Sequence, residues 1–167
     1  MLKRIALTIA VAGTLVCVAP VRAQQGKISF DEMMKNMTKC NIDTIKQLLG
    51  AGQITAQIID PSVVRSADNT PVIVAAAGTD CVEGVHQLLN AGAAVTDTDP
   101  QGNTPLHLAA AMSTQSMVQM LVEKGADVNA KNQKGETPLM KAQTNNYKGK
   151  TEQKDKIIAY LTKKGAK

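Results

Sequence analysis

Apolar residues in this chain recur at two spacings. In SMVQMLVEKG, residues 116–125, Met117, Val118, Met120, Leu121 and Val122 share one face of a helix. Gly125 follows where such a helix ends in the left-handed conformation that glycine adopts freely. GNTPLHLAAA, residues 102–111, reads as a shorter helix: Thr104 supplies a capping hydroxyl and Pro105 stands at the first helical position. Leu106, Leu108 and the alanines after them let two helices approach closely. Nearer the start, Ser29 and Glu32 form a capping box ahead of Met33, Met34, Met37 and Cys40, which again follow helical spacing. The second pattern is different: IALTIAVAGTLVCVA, residues 5–19, is apolar throughout and carries no charge.

The helical segments repeat. Gly102 and Gly135 are 33 positions apart, as are Thr104 and Thr137, Gly92 and Gly125, and Val95 and Val128. Thr70 precedes Thr104 by 34, while Gly52 and Gly165 each lie 40 from the neighbouring glycine. A unit of this length cannot bury its apolar face alone, so neighbours must stack.

With TPLHLAA opening one unit and LLxxGAxVN closing the next helix, the chain resembles the ankyrin repeat. The resemblance implies an all-α solenoid of about four helix–turn–helix repeats joined by hairpin-like finger loops. The repeats fall at about 28–68, 69–101, 102–134 and 135–167. It implies that His107 holds neighbouring turns together by hydrogen bonds instead of serving as a base, and that a partner is bound by the fingers and the inner helices on the concave side.

The apolar run at the front is a separate matter. Lys3 and Arg4 precede it, Pro20 breaks it, and Val21, Arg22 and Ala23 follow, the order of a cleaved secretory signal. Its 15 residues are short beside the roughly 20 of a spanning helix. The expected mature chain is 24–167, a monomer in a bacterial periplasm, with no membrane contact once the signal is removed. Cys17 lacks the small preceding residues that lipoprotein processing prefers.

Signal removal also changes the charge. The formal net charge of +5 loses Lys3, Arg4 and Arg22 and falls to +2. Residues 24–140 hold 8 Lys and Arg against 12 Asp and Glu, whereas 141–167 hold 8 Lys against Glu152 and Asp155. An acidic body with a basic end, without Trp and with one Phe, is a poor match to nucleic acid. His86 and His107 lack a third group at useful spacing, so no catalytic triad or histidine metal site is expected, and no cofactor.

Three departures from the repeat carry functional information. Gly52 and Thr70 are 18 apart where the later loops span 12, so one finger is six residues longer. Its Ile58, Ile59, Val63 and Val64 either present an apolar tip around Asp60 and Pro61 or fold back over the weak first repeat. Thr137 to Gly165 spans 28 against 21 for Thr104 to Gly125. The seven added residues, around Tyr147, Lys148 and Lys150, read as a polar surface loop. Finally, Cys40 and Cys81 both lie at helix–helix turns of adjacent repeats. Equivalent sites in stacked helices stand roughly 10 Å apart, and a disulfide needs alpha carbons within about 7 Å. An oxidising compartment and a one-residue offset favour a disulfide; two free thiols acting in redox chemistry are the alternative. Met33, Met34, Met37 and Cys40 have the donors of a Cu(I) site, but core filling accounts for their spacing, and no metal is expected.

The reading is thus a non-catalytic, exported interaction module for a protein of unknown identity. Candidate contacts are Ile59, Asp60, Val64 and Arg65 in the long finger, Asp97, Asp99 and Gln101 in the next, and Asn132 and Lys134 in the third. An immunity-type inhibitor of a delivered toxin is one alternative, and a thiol redox or metal-handling protein the other.

Overall fold

The computed structural model describes residues 29–49, 66–144 and 151–167. The described residues form eight helices and no extended strand. In chain order these are α1 (Phe30–Thr38), α2 (Ile42–Leu48), α3 (Val72–Ala77), α4 (Val82–Asn90), α5 (Pro105–Met112), α6 (Gln115–Glu123), α7 (Pro138–Thr144) and α8 (Thr151–Lys163). Each odd-numbered helix pairs with the even one after it, and the odd helices stack on one another in one row and the even helices in a second. The odd row is packed more closely, because alanines such as Ala76, Ala109, Ala110 and Ala142 are fully buried in it. That closer approach makes it the concave side.

Between the rows runs one apolar core, from Met33, Met37 and Ile45 through Val85, Leu88, Leu106 and Leu121 to Ile157 and Leu161. Burying a side chain of this size stabilises by about 1.5–3 kcal/mol. No pair of helices holds enough such residues to stand alone, which is why the stack is the folding unit.

The helix ends follow local chemistry. The Ser29 hydroxyl accepts from the Glu32 N–H at 3.1 Å, capping α1. Gly92, Gly125 and Gly165 close α4, α6 and α8 at positive φ. The second unit departs from its motif alignment. The N-cap of α3 is Pro71, and Asn69 takes the left-handed φ of 67° that Gly102 and Gly135 take 33 and 66 positions later. In space, Val74, and not Ile73, therefore occupies the place of His107. The finger turn sets this register, since its left-handed residue must precede the helix by a constant interval.

The last unit is also more helical than its polar sequence suggests. α8 has 13 residues where α6 has 9, so part of the insertion lengthens a helix. The Lys154 ammonium donates to the Gln143 carbonyl at 2.6 Å, tying α8 back to α7. Tyr147 and the rest of 145–150 lie outside the described residues.

At the junction of the first two units, Cys40 and Cys81 are joined as a disulfide with alpha carbons 5.1 Å apart. The roughly 10 Å expected of equivalent sites does not apply, because the two are not equivalent. Cys81 is the N-cap of α4, while Cys40 precedes the α2 N-cap, Asn41, and has a left-handed φ of 47°. Beneath the bond sits Gly84, where a Cβ would lie 2.6 Å from Met37 Sδ, 2.9 Å from Cys81 Sγ and 3.1 Å from Ile45 Cδ1. Only glycine lets α4 come this close to α1 and α2.

Candidate partner-binding face

The fingers are built from short polar side chains that hold their own turns. In residues 99–103, Asp99 Oδ1 accepts from the N–H groups of Gln101 and Asn103 at 2.9 and 2.8 Å. Its second oxygen accepts from Asn103 Nδ2 at 2.9 Å. Gly102, at φ +77°, lets the turn close. Thirty-three residues on, Asn132 Oδ1 accepts from the N–H groups of Lys134 and Glu136 at 2.9 and 3.0 Å. The amide nitrogen of Asn132 donates to Asn103 Oδ1 at 2.8 Å and to Glu136 Oε2 at 2.9 Å.

These bonds also join the two fingers. The Gln133 N–H donates to the Gln101 carbonyl at 3.0 Å, and its side-chain amide donates to the Pro100 carbonyl at 2.9 Å. Below them, His107 Nδ1 accepts from the Thr104 N–H at 3.1 Å and lies 2.9 Å from the Thr104 hydroxyl. Its Nε2 reaches the Glu136 carbonyl of the next unit at 3.0 Å. An acceptor at Nδ1 and a donor at Nε2 define a neutral imidazole. Burial, aided by the charge of Lys141, pushes the His107 pKa below the ordinary histidine value, against the Glu136 carbonyl and the charges of Asp99 and Glu136. The Glu136 carboxylate sits below the usual range because Asn132 and then Lys141 bond to it, the latter at 2.7 Å.

This geometry divides the candidate residues. Asp99 spends both oxygens inside its own finger, and Asn132 is only 7 % exposed and bonded on both sides. Asp99 and Asn132 thus hold the frames of their fingers, because a turn with so many N–H groups must satisfy them locally. Gln101 and Lys134 are exposed and Asp97 is half-buried. Ile59, Asp60, Val64 and Arg65 lie outside the described residues. His86 is half-buried, with Nδ1 3.3 Å from Asn90 Nδ2 on α4.

Two residues were missed. Met112 and Met140 are 55 % and 44 % exposed, the large apolar side chains most open to solvent among the described residues. Met112 ends α5 on the concave row, with its Cε 3.6 Å from where a Cβ on Gly78 would stand. Met140 holds the position of His107 one unit later. For Met112 position in the repeat was the available signal: it ends an inner helix whose preceding residues, Ala109, Ala110 and Ala111, are small. Among the described residues, no group of three or more His, Cys, Asp or Glu is placed to hold a metal ion. No helix there is long and apolar enough to cross a membrane.

A family model described as ankyrin repeats (three copies) matches residues 33–132 and 81–167. The chain belongs to the ankyrin-repeat family. Ankyrin repeats generally mediate protein–protein interaction. Among curated proteins it is 37 % identical over 70 residues to an ankyrin repeat-containing protein of Schizosaccharomyces pombe, a match covering 42 % of this chain and 34 % of the other. It is 42 % identical over 79 residues to a probable E3 ubiquitin-protein ligase of Oryza sativa, covering 46 % of this chain and 15 % of that one. Against the human 2-5A-dependent ribonuclease it is 33 % identical over 78 residues, covering 46 % and 10 %. The matches span about a third or less of these relatives' lengths, and the relatives differ in their named activities.

Proposed function

We propose that this ankyrin-repeat chain is an exported, non-catalytic interaction module, monomeric in a bacterial periplasm, that docks a protein through its fingers and concave face. The observation that carries this reading is the division of labour in the fingers. Asp99, Asn103, Asn132 and His107 lock the turns to one another, so Gln101, Lys134 and Asp97 are presented on a rigid frame. Rigid presentation lowers the ordering cost of binding. Met112 adds an apolar anchor on the adjoining concave row. The charge runs from Asp97 to Lys131 and Lys134, and a partner that carries the opposite order would be steered into register. The signal-like pattern of residues 1–23 supports export.

A photo-cross-linking residue in place of Gln101 tests the face directly. It should trap the partner covalently in cells, whereas the same residue in place of Ser116, exposed on the outer row, should not. Trapping from position 116 alone would move the interface to the convex side.

A further inference from the structure

The binding function above leaves the Cys40–Cys81 disulfide unused, and its two halves have unlike surroundings. Cys40 is exposed, as are Thr38, Lys39 and Asn41 beside it in the α1–α2 turn. Cys81 is only 2 % exposed. A Cβ on Gly84 would lie 2.9 Å from Cys81 Sγ and 2.6 Å from Met37 Sδ, so the packing beside that sulfur has no room even for a methyl group. The turn that carries Cys40 is held independently of the bond. The Cys40 N–H donates to the Met37 carbonyl at 3.1 Å, and the Asn41 N–H donates to the Asn36 carbonyl at 3.0 Å. In this kind of helix ending the residue after the cap is left-handed and is usually glycine. Here it is Cys40, at φ 47°, so a sulfur occupies a position that glycine would fill with less strain.

We infer that Cys40 is a thiol-exchange site: it takes an incoming thiolate from solvent, and Cys81 is the sulfur released into the core. Access decides which sulfur of a disulfide is attacked. The thiolate attacks Cys40 Sγ and forms a new S–S bond there. The Cys40–Cys81 bond breaks, its electron pair stays on Cys81, and the Cys81 thiolate takes a proton from water. The reverse step needs no further reagent. Because the turn keeps Cys40 in place, Cys81 gives up its proton, attacks Cys40 Sγ and expels the thiol. A dithiol goes one step further: its second thiolate attacks its own sulfur in the adduct, closes a disulfide and releases Cys40, which takes up a proton as a thiol. Each finger leads into an odd-numbered helix, whereas this turn lies at the far end of one, so a thiol on Cys40 leaves the finger face clear.

The test uses the full chain with Cys17→Ser, which leaves these two cysteines. The oxidised chain is mixed without oxygen with glutathione, or with a thioredoxin whose resolving cysteine is replaced by serine. Samples are quenched in acid at intervals and digested with pepsin, and mass spectrometry locates each mixed disulfide. Adducts should form on Cys40 and not on Cys81, while the helical circular dichroism holds. An adduct with glutathione alone assigns the site to small thiols, and one with thioredoxin extends it to protein dithiols. Adducts on Cys81, on both cysteines alike or on neither would overturn the proposal. So would a Cys40 adduct that appears only as helix is lost, since exchange would then require unfolding.

Discussion

His107 shows how one side chain ties two repeats. Its ring satisfies the Thr104 N–H and the Glu136 carbonyl at once, and it is fully buried. Replacing it by leucine keeps the bulk but leaves both groups unpaired, at about 1–3 kcal/mol each for a buried group. Chemical denaturation of His107→Leu should therefore show a loss of at least about 1 kcal/mol. The pH dependence has a definite sign. Because the folded pKa lies below the unfolded one, the unfolded chain takes the proton first as pH falls. The contribution of His107 is complete above the ordinary value of about 6.5 and shrinks as pH drops below it toward the folded value. Melting temperatures at pH 7 and pH 5.5 should differ more for the wild type than for His107→Leu. An equal difference would show that His107 is not the titrating group.

At the scale of helices, Gly84 is the most exacting position in the first junction. A methyl group there collides with Met37 Sδ and Cys81 Sγ, so Gly84→Ala must push α4 away from α1 and α2. Overpacking of this kind costs about 1–3 kcal/mol. Hydrogen exchange should quicken in residues 29–49 and stay unchanged in 105–144. The 33-residue spacing of TPLH and of the closing glycines made these helix pairs legible, because each element repeats its own caps and buried positions. The one-residue shift of α3 was not legible: it comes from a left-handed asparagine in the turn, which the NTP motif masks. Likewise, Asp99 and Asn132 looked like surface groups along the chain. Only the folded turn shows how many N–H groups they must satisfy.

Across the whole molecule, stability is a sum over units and their interfaces, so damage stays local. The disulfide links residues 41 apart and fastens the first unit to the second. A closed loop of that length is worth about 4 kcal/mol in the chain-entropy description. Cys40→Ser/Cys81→Ser should lower the denaturation midpoint by losing α1 and α2 early, seen as a separate first phase, while α5 to α8 unfold where they did before. A single transition shifted as a whole would mean that the stack is more tightly coupled than its repeat construction implies.

The central claim is that the stack exists to present the finger face to another protein. Quantitative affinity capture with the folded chain, wild type beside Asp97→Lys/Gln101→Ala/Lys134→Glu, tests it most directly. None of these three side chains holds a finger turn, so both forms should melt alike. The account predicts one protein enriched by the wild type and lost from the triple variant. Equal recovery of that protein by both forms would contradict it.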